Sequence, residues 1–229
     1  MARDGTCGWR HPLLVLRSSK MAQSTVEVKD ARRRLRRLRA SLGRAERIAA
    51  ERAIIGFLEG LRLFRRGARV ALYMPMRGEV DLRPAVAAAW RNGSTVYLPK
   101  ILNRRRARMA FLPWMPNQPR RRNAYGIEEP MLDTGRLESR HLDTVVMPVV
   151  GFDRAGNRLG MGAGYYDRAV RRRLDQARLW RRPRLVGVAF ACQELPSIAA
   201  SPWDVPLDLI VTERGVLVPE RRSYRSAEQ

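Results

Sequence analysis

Six short apolar runs between residues 69 and 213 constrain the fold of this chain more than any other feature. They are RVALYMP (69–75), TVYLPK (95–100), ARMAFLPW (107–114), LDTVVMPVVGFD (142–153), RLVGVAF (184–190) and DLIVTE (208–213). Each is brief, rich in β-branched or aromatic residues and bounded by proline, glycine or charge, the pattern of buried strands. Helical patterns lie between them. LRPAVAAAWRNG (82–93) closes on a glycine, and YYDRAVRRRLDQARL (165–179) follows a glycine cluster. Strands that alternate with helices need right-handed crossovers. The predicted class is therefore α/β: a single three-layer domain with a largely parallel central sheet flanked by helices. The 107–114 run reads as an edge strand. Ahead of the first strand, Leu35, Leu38, Leu42, Ala45 and Ala49, then Ile55 and Leu58, recur at helical spacing. They predict one or two amphipathic helices ending near Gly60. Residues 1–28 show no periodicity and are expected to be a disordered leader, with Met21 as an alternative start. The domain is expected over 29–219, with a tail at 220–229. Residues 115–141 read as loops.

A chain of 229 residues suffices for one sizeable core. No apolar run approaches the roughly 20 residues a membrane span requires, and PLLVL (12–16) is too short for a secretory core. The expectation is a cytoplasmic protein without a membrane partner. Cys7 and Cys192 are the only cysteines, which excludes a disulfide framework and a cysteine-based zinc cluster. Net charge is +23, nearly all from arginine, since Lys20, Lys29 and Lys100 are the only lysines. Such a balance reads mainly as compositional background, as in an arginine-rich coding bias, with some of it recruited for anionic ligands. The arginines are dispersed and few aromatics are interleaved with them, unlike a single-stranded nucleic-acid platform. Specific nucleic-acid binding is not expected.

The stretch GNRLGMGAGYYDR (156–168) carries the chemistry. Gly160, Gly162 and Gly164 form G-x-G-x-G ahead of a predicted helix. Such a loop lets backbone N–H groups approach a phosphate. Arg158 offers a positive fork, and Asp167 is a carboxylate able to hold magnesium. The spacing matches neither the dinucleotide fingerprint nor a Walker loop, so a plain strand-to-helix turn is the alternative. Asp167 also suits a helix N-terminus, and Tyr165 and Tyr166 also suit core packing.

The longer segment MPVVGFDRAGNRLGMGAGYYDR (147–168) strongly resembles the signature of the 5-formyltetrahydrofolate cyclo-ligases, also called methenyltetrahydrofolate synthetases. ALYMPMRGEVDLRPAVAAAWRNGSTVYLPK (71–100) resembles the folate-side segment of that family. YGIEEP (125–130) resembles its aromatic-Gly-Ile-x-Glu-Pro turn, and VGVAFACQELPSIAASPWDVPLDLIVTE (186–213) its C-terminal segment. The likeness runs in order from about residue 29 to 213.

The resemblance implies an ATP- and magnesium-dependent ligase. It would convert 5-formyltetrahydrofolate to 5,10-methenyltetrahydrofolate with release of ADP and phosphate. It also implies residue roles. Gly160, Met161, Gly162, Ala163 and Gly164 would wrap the ATP phosphates, with Tyr165 and Tyr166 against adenine or folate. Arg158 and Asp167 would be the catalytic pair, with Arg158 neutralising the transferred charge. Asp167 would hold magnesium, with Asp208 as a second metal-linked position. Lys29 and Arg33, four apart on one helix face, would reach the phosphates; a solvated basic face is the alternative. Glu79 would pair with the pterin, with Met74 and Tyr125 as its apolar wall and Lys100 as a candidate anion contact. Arg158 is expected to face solvent. No catalytic triad is implied, and neither His11 nor His141 lies in one. The enzyme is expected to be a monomer. The competing readings are a fold relative that binds RNA and a related protein of thiamine metabolism.

Overall fold

A computed structural model of the chain describes residues 25–123, 126–131, 135–172 and 182–220. Two helices come first, α1 (Thr25–Ala40) and α2 (Arg44–Gly60). Helix α1 therefore starts four residues before the expected domain boundary at 29, inside the stretch assigned to the leader. Residues 1–24 and 221–229 lie outside the described residues.

The sheet is built from β1 (Arg69–Ala71), β2 (Thr95–Asn103), β3 (Arg108–Trp114), β6 (Thr144–Pro148), β9 (Arg184–Val188), β10 (Leu209–Thr212) and β11 (Gly215–Leu217). Two small hairpins complete the strands: β4 (Arg120–Arg122) with β5 (Glu128–Pro130), and β7 (Gly151–Phe152) with β8 (Arg158–Leu159). The sheet order is β11-β10-β9-β6-β1-β2-β3. The strands β10, β9, β6, β1 and β2 run parallel, while β11 and β3 pair antiparallel at the two edges. The six predicted strands are all present, and the 107–114 run is at an edge as expected.

Side chains alternate across the sheet with period two. Val70, Val96, Leu98, Val146, Val186, Val188, Leu209 and Val211 face a core closed by α2 and by α3 (Arg83–Arg91). Ala71, Tyr97, Val145, Met147, Leu185 and Ile210 face the opposite layer, with Val170 of α4 (Tyr165–Val170) and the crossing segment Val205–Leu207. Burial on both faces is why the strands read as unbroken apolar runs. The predicted helix 165–179 is seen over α4; residues 173–181 are outside the described set. Among the described residues no helix is long and apolar enough to cross a membrane.

The carboxyl ends of the parallel strands carry the rest of the story, as open α/β sheets lead one to expect. The chain leaves β1 into the turn with Glu79, leaves β6 into the β7–β8 hairpin and leaves β9 into a helical turn, Ala191–Gln193. Gln193 is 1% exposed and joins two of these exits. Its amide donates to the Val149 and Val150 carbonyls at 2.8 and 2.9 Å and accepts the Phe190 N–H at 2.9 Å. Helix α1 lies across this end. Its Leu35 is buried with Val150 and Leu159. A Cβ on Gly151 would stand 2.6 Å from the Leu35 Cδ1. Glycine there lets α1 seat directly on the hairpin backbone.

Candidate active site

The β7–β8 hairpin is folded by one buried carboxylate. Asp153, 3% exposed, accepts the Ala155 and Asn157 N–H groups at 3.0 Å through Oδ1. Its Oδ2 accepts the Asn157 amide at 2.9 Å and the Ile198 N–H at 2.8 Å. Asp153 thus fixes the tight turn DRAGN and aims β8 back toward the site. After β8 come the loop glycines. Gly162 (φ 103°) and Gly164 (φ 67°) hold conformations that side-chain-bearing residues rarely adopt. Gly164 precedes the first turn of α4, and the Ala163 carbonyl accepts Arg168 Nη1 at 2.8 Å. Met161, Gly162 and Ala163 are exposed, so their backbone is open to a ligand.

Arg158 does not face solvent as expected. Its side chain is only 7% exposed, and it donates to the Asp167 carboxylate and to the Val205 carbonyl. Burial lowers its pKa, and the charge of Asp167 opposes that fall. The two residues expected to act together are in contact. Asp208 is elsewhere: its Oδ2 accepts the Leu185 N–H at 2.7 Å where β9 and β10 begin, at the amino end of the sheet. Among the described residues no group of three or more His, Cys, Asp and Glu side chains forms a metal cluster.

On α1 the residue against the loop is Arg32. Its Nε donates to the Gly160 carbonyl at 2.8 Å, and its Cζ lies 3.5 Å from where a Gly162 Cβ would stand. Lys29 and Arg33 are exposed, and Arg33 lies 3.9 Å from Asp30 on the outer surface. Arg32 lies three residues before Leu35, the buried anchor of the helix. Counting from that anchor would have found it.

The other half of the site is the turn after β1. The Glu79 N–H donates to the Met76 carbonyl at 2.9 Å, and Glu79 Oε2 accepts the Met76 N–H at 2.9 Å. Gly78 supplies the left-handed step, φ 83°. Glu79 is 9% exposed, and burial raises its pKa against the opposing pull of the Met76 N–H and Arg39. Met74 is buried beside it in sequence, and Tyr73 donates its hydroxyl to the Val80 carbonyl at 3.1 Å. Tyr166 joins the halves. Burial raises its pKa, Glu79 adds to the rise and Arg158 opposes it, so its hydroxyl feels both groups. Tyr165 is half-buried. Tyr125 lies outside the described residues. Asn123 bonds Gly126 and Ile127 through its backbone and side chain. Lys100 is buried on the carboxyl-terminal half of β2.

This arrangement can be set beside known proteins. Residues 24–213 match the 5-formyltetrahydrofolate cyclo-ligase family. The chain belongs to that family. The 5-formyltetrahydrofolate cyclo-ligase of Haemophilus influenzae is 32% identical over 192 residues, which cover 82% of this chain and 99% of that protein. The NMR structure of Aquifex aeolicus 5,10-methenyltetrahydrofolate synthetase matches with a TM-score of 0.68 at 28% identity. It covers 88% of this chain and 99% of its own. A 5,10-methenyltetrahydrofolate synthetase from Mycoplasma pneumoniae matches with a TM-score of 0.63 at 25% identity, covering 82% and 99%. The family match thus spans every strand of the sheet except β11.

Proposed function

We propose that this protein converts 5-formyltetrahydrofolate to 5,10-methenyltetrahydrofolate at the expense of ATP. The observation that carries the reading is the pairing of two half-sites, the glycine loop with Arg32, Arg158 and Asp167, and the Glu79 turn, at the carboxyl ends of the parallel strands. In the first half, backbone N–H groups of Gly160–Gly164 and the two guanidiniums receive the phosphates of ATP. In the second, the free oxygen edge of Glu79 accepts the amino-pyrimidinone N–H donors of the pterin. Met74 is taken as its apolar wall; the expected role of Tyr125 falls outside the described residues. Lys100 is an anion contact.

The formyl oxygen is a weak nucleophile, so alignment and charge neutralisation do most of the catalysis. It takes the γ-phosphoryl group, and ADP leaves. The neighbouring amine nitrogen then attacks the activated carbon and loses its proton. The C–O bond breaks, and phosphate departs with the ring closed. Arg158 offsets charge on the transferred group. Asp167, a single carboxylate beside an open backbone loop, suits magnesium that is held mostly by phosphate oxygens. Magnesium supplies further neutralisation of the triphosphate. Asp208, at the amino end of the sheet, braces the start of β9 and takes no part in holding that ion. The enzyme is taken to work as a monomer in the cytoplasm.

The test is direct. Purified protein is mixed with 5-formyltetrahydrofolate and Mg-ATP while the near-ultraviolet absorbance of the methenyl product is followed. Product should form only when ATP and magnesium are both present. Product without ATP, or none from folded protein, overturns the reading.

A further inference from the structure

Arg39 is an arginine with 5% exposure, and the mechanism above leaves it unused. It is seven residues after Arg32 on α1, two turns along the same face and about 10.5 Å further down the axis. Arg32 meets the glycine loop, and Arg39 meets the Glu79 turn. Its Nη2 reaches the Arg77 carbonyl at 3.5 Å, and its Nε lies 3.4 Å from where a Gly78 Cβ would stand. The Arg39 side chain is therefore packed against the residue before Glu79. Arg47 of α2 braces the same turn. It donates to the Gly78 carbonyl at 3.3 Å and to the Arg39 carbonyl. One Glu79 oxygen is held by the Met76 N–H. The groups that act electrostatically on this corner are Arg39 from α1, Arg47 from α2, Tyr73 and Asp81 after β1, and Tyr166 and Arg158 from the other half-site. Of the two cations that touch the turn backbone, Arg39 and Arg47, Arg39 is the one that acts on the Glu79 carboxylate.

We propose that Arg39 is a positioning residue that holds the Glu79 turn, so that Glu79 can accept the donors of the folate ring. Helix α1 then serves both halves of the site, with Arg32 on the nucleotide side and Arg39 on the folate side. The physical reason is the burial of Glu79. Burial favours the neutral acid, which has lost the acceptor edge a pterin needs, and the buried cation of Arg39 favours the charged form. This inference rests on the cyclo-ligase reading for the identity of the ligand but not for the coupling itself.

Two measurements on Arg39→Gln, Arg39→Met and Arg39→Lys test it, with melting temperatures recorded alongside. The first needs no activity. In protein labelled with 13C-carboxyl glutamate, the Glu79 signal is assigned by its loss in Glu79→Gln and titrated with pH. The midpoint should move to higher pH in the Gln and Met variants and stay near wild type in Lys. The second is steady-state kinetics. Gln and Met should raise the KM for 5-formyltetrahydrofolate about tenfold, which is the loss of about 1.4 kcal/mol of binding. The KM for ATP should stay within about twofold, and Lys should restore most of the folate affinity. An unmoved Glu79 titration, or equal losses for both substrates, overturns the proposal. Wild-type protein that makes no methenyl product overturns the function instead, and the titration still decides the coupling.

Discussion

Replacing Arg158 with alanine separates structure from chemistry in the glycine loop. The side chain is 7% exposed, and it holds both the Asp167 carboxylate and the Val205 carbonyl. Removing one partner of a buried ion pair costs roughly 3–5 kcal/mol. Asp167 keeps 28% of its side chain in solvent, so water recovers part of that, and about 2 kcal/mol remains. The Val205 carbonyl loses its donor in a buried residue, for about 1 kcal/mol more. The total of about 3 kcal/mol corresponds to a fall in Tm of roughly 6–12 °C for a chain of this size. Catalysis should fall too. A charge-assisted contact of about 3 kcal/mol made in the transition state is worth on the order of a hundredfold in rate. The assay is thermal unfolding of both proteins without ligand, then methenyl formation at a temperature where both are folded. A Tm within about 2 °C of wild type would refute the buried pair. A large fall in Tm with unchanged kcat/KM would make Arg158 a structural arginine and remove it from the reaction.

Three other outcomes follow from the same geometry. Arg32→Ala should raise the KM for ATP about tenfold, while Lys29→Ala and Arg33→Ala leave it within about twofold; the reverse ranking in initial-rate kinetics would return the phosphate contact to the outer face. Glu79→Gln should raise the KM for 5-formyltetrahydrofolate at least tenfold yet leave the Tm at pH 8 equal or higher. Burial raises the folded pKa of Glu79 above its unfolded value, so its ionisation removes stability as pH rises through that window, and the amide escapes the cost; a marked loss of Tm at pH 8 would contradict this. Asp167→Asn should raise the magnesium concentration needed for half-maximal rate, whereas Asp208→Asn should lower Tm by loosening its bond to Leu185 and leave the magnesium dependence alone; matched magnesium titrations of the two variants decide it.

What the sequence made legible follows from where its apolar residues lie. The buried strands announced themselves because both faces of the sheet are covered, so every position had to be apolar. Strand β11 escaped notice because only three half-buried residues form it and it pairs at an edge. The β4–β5 hairpin escaped for a different reason. RRR and EEP carry no alternating apolar pattern; their pairing is made by backbone bonds and by charge, as between Arg120 and Glu128 at 3.2 Å. The motif likewise carried residue types but not the end of the sheet on which each would fall. It grouped Asp208 with Asp167 although Asp208 starts a strand whose far end bears the site.

The arginines of α1 show why the site itself was only half legible. Six arginines and one lysine between 29 and 39 surround the helix, so charge says nothing about which of them faces inward. Spacing between basic residues picked Lys29 and Arg33, and both are on the solvent side. The apolar residues decide the rotation instead. Leu35 is the one fully buried side chain of the helix, with Val28 and Ala31 packed beside it. Three residues back and four forward from that anchor, the same face carries Arg32 and Arg39. A helix so uniformly basic would not dock on a protein surface by hydrophobic burial at many points. It docks at one leucine, on a backbone left bare by Gly151, and places an arginine on each side of that point. The same docking leaves one cation over the glycine loop and one behind the buried glutamate, so a single helix adds a cation to each half-site.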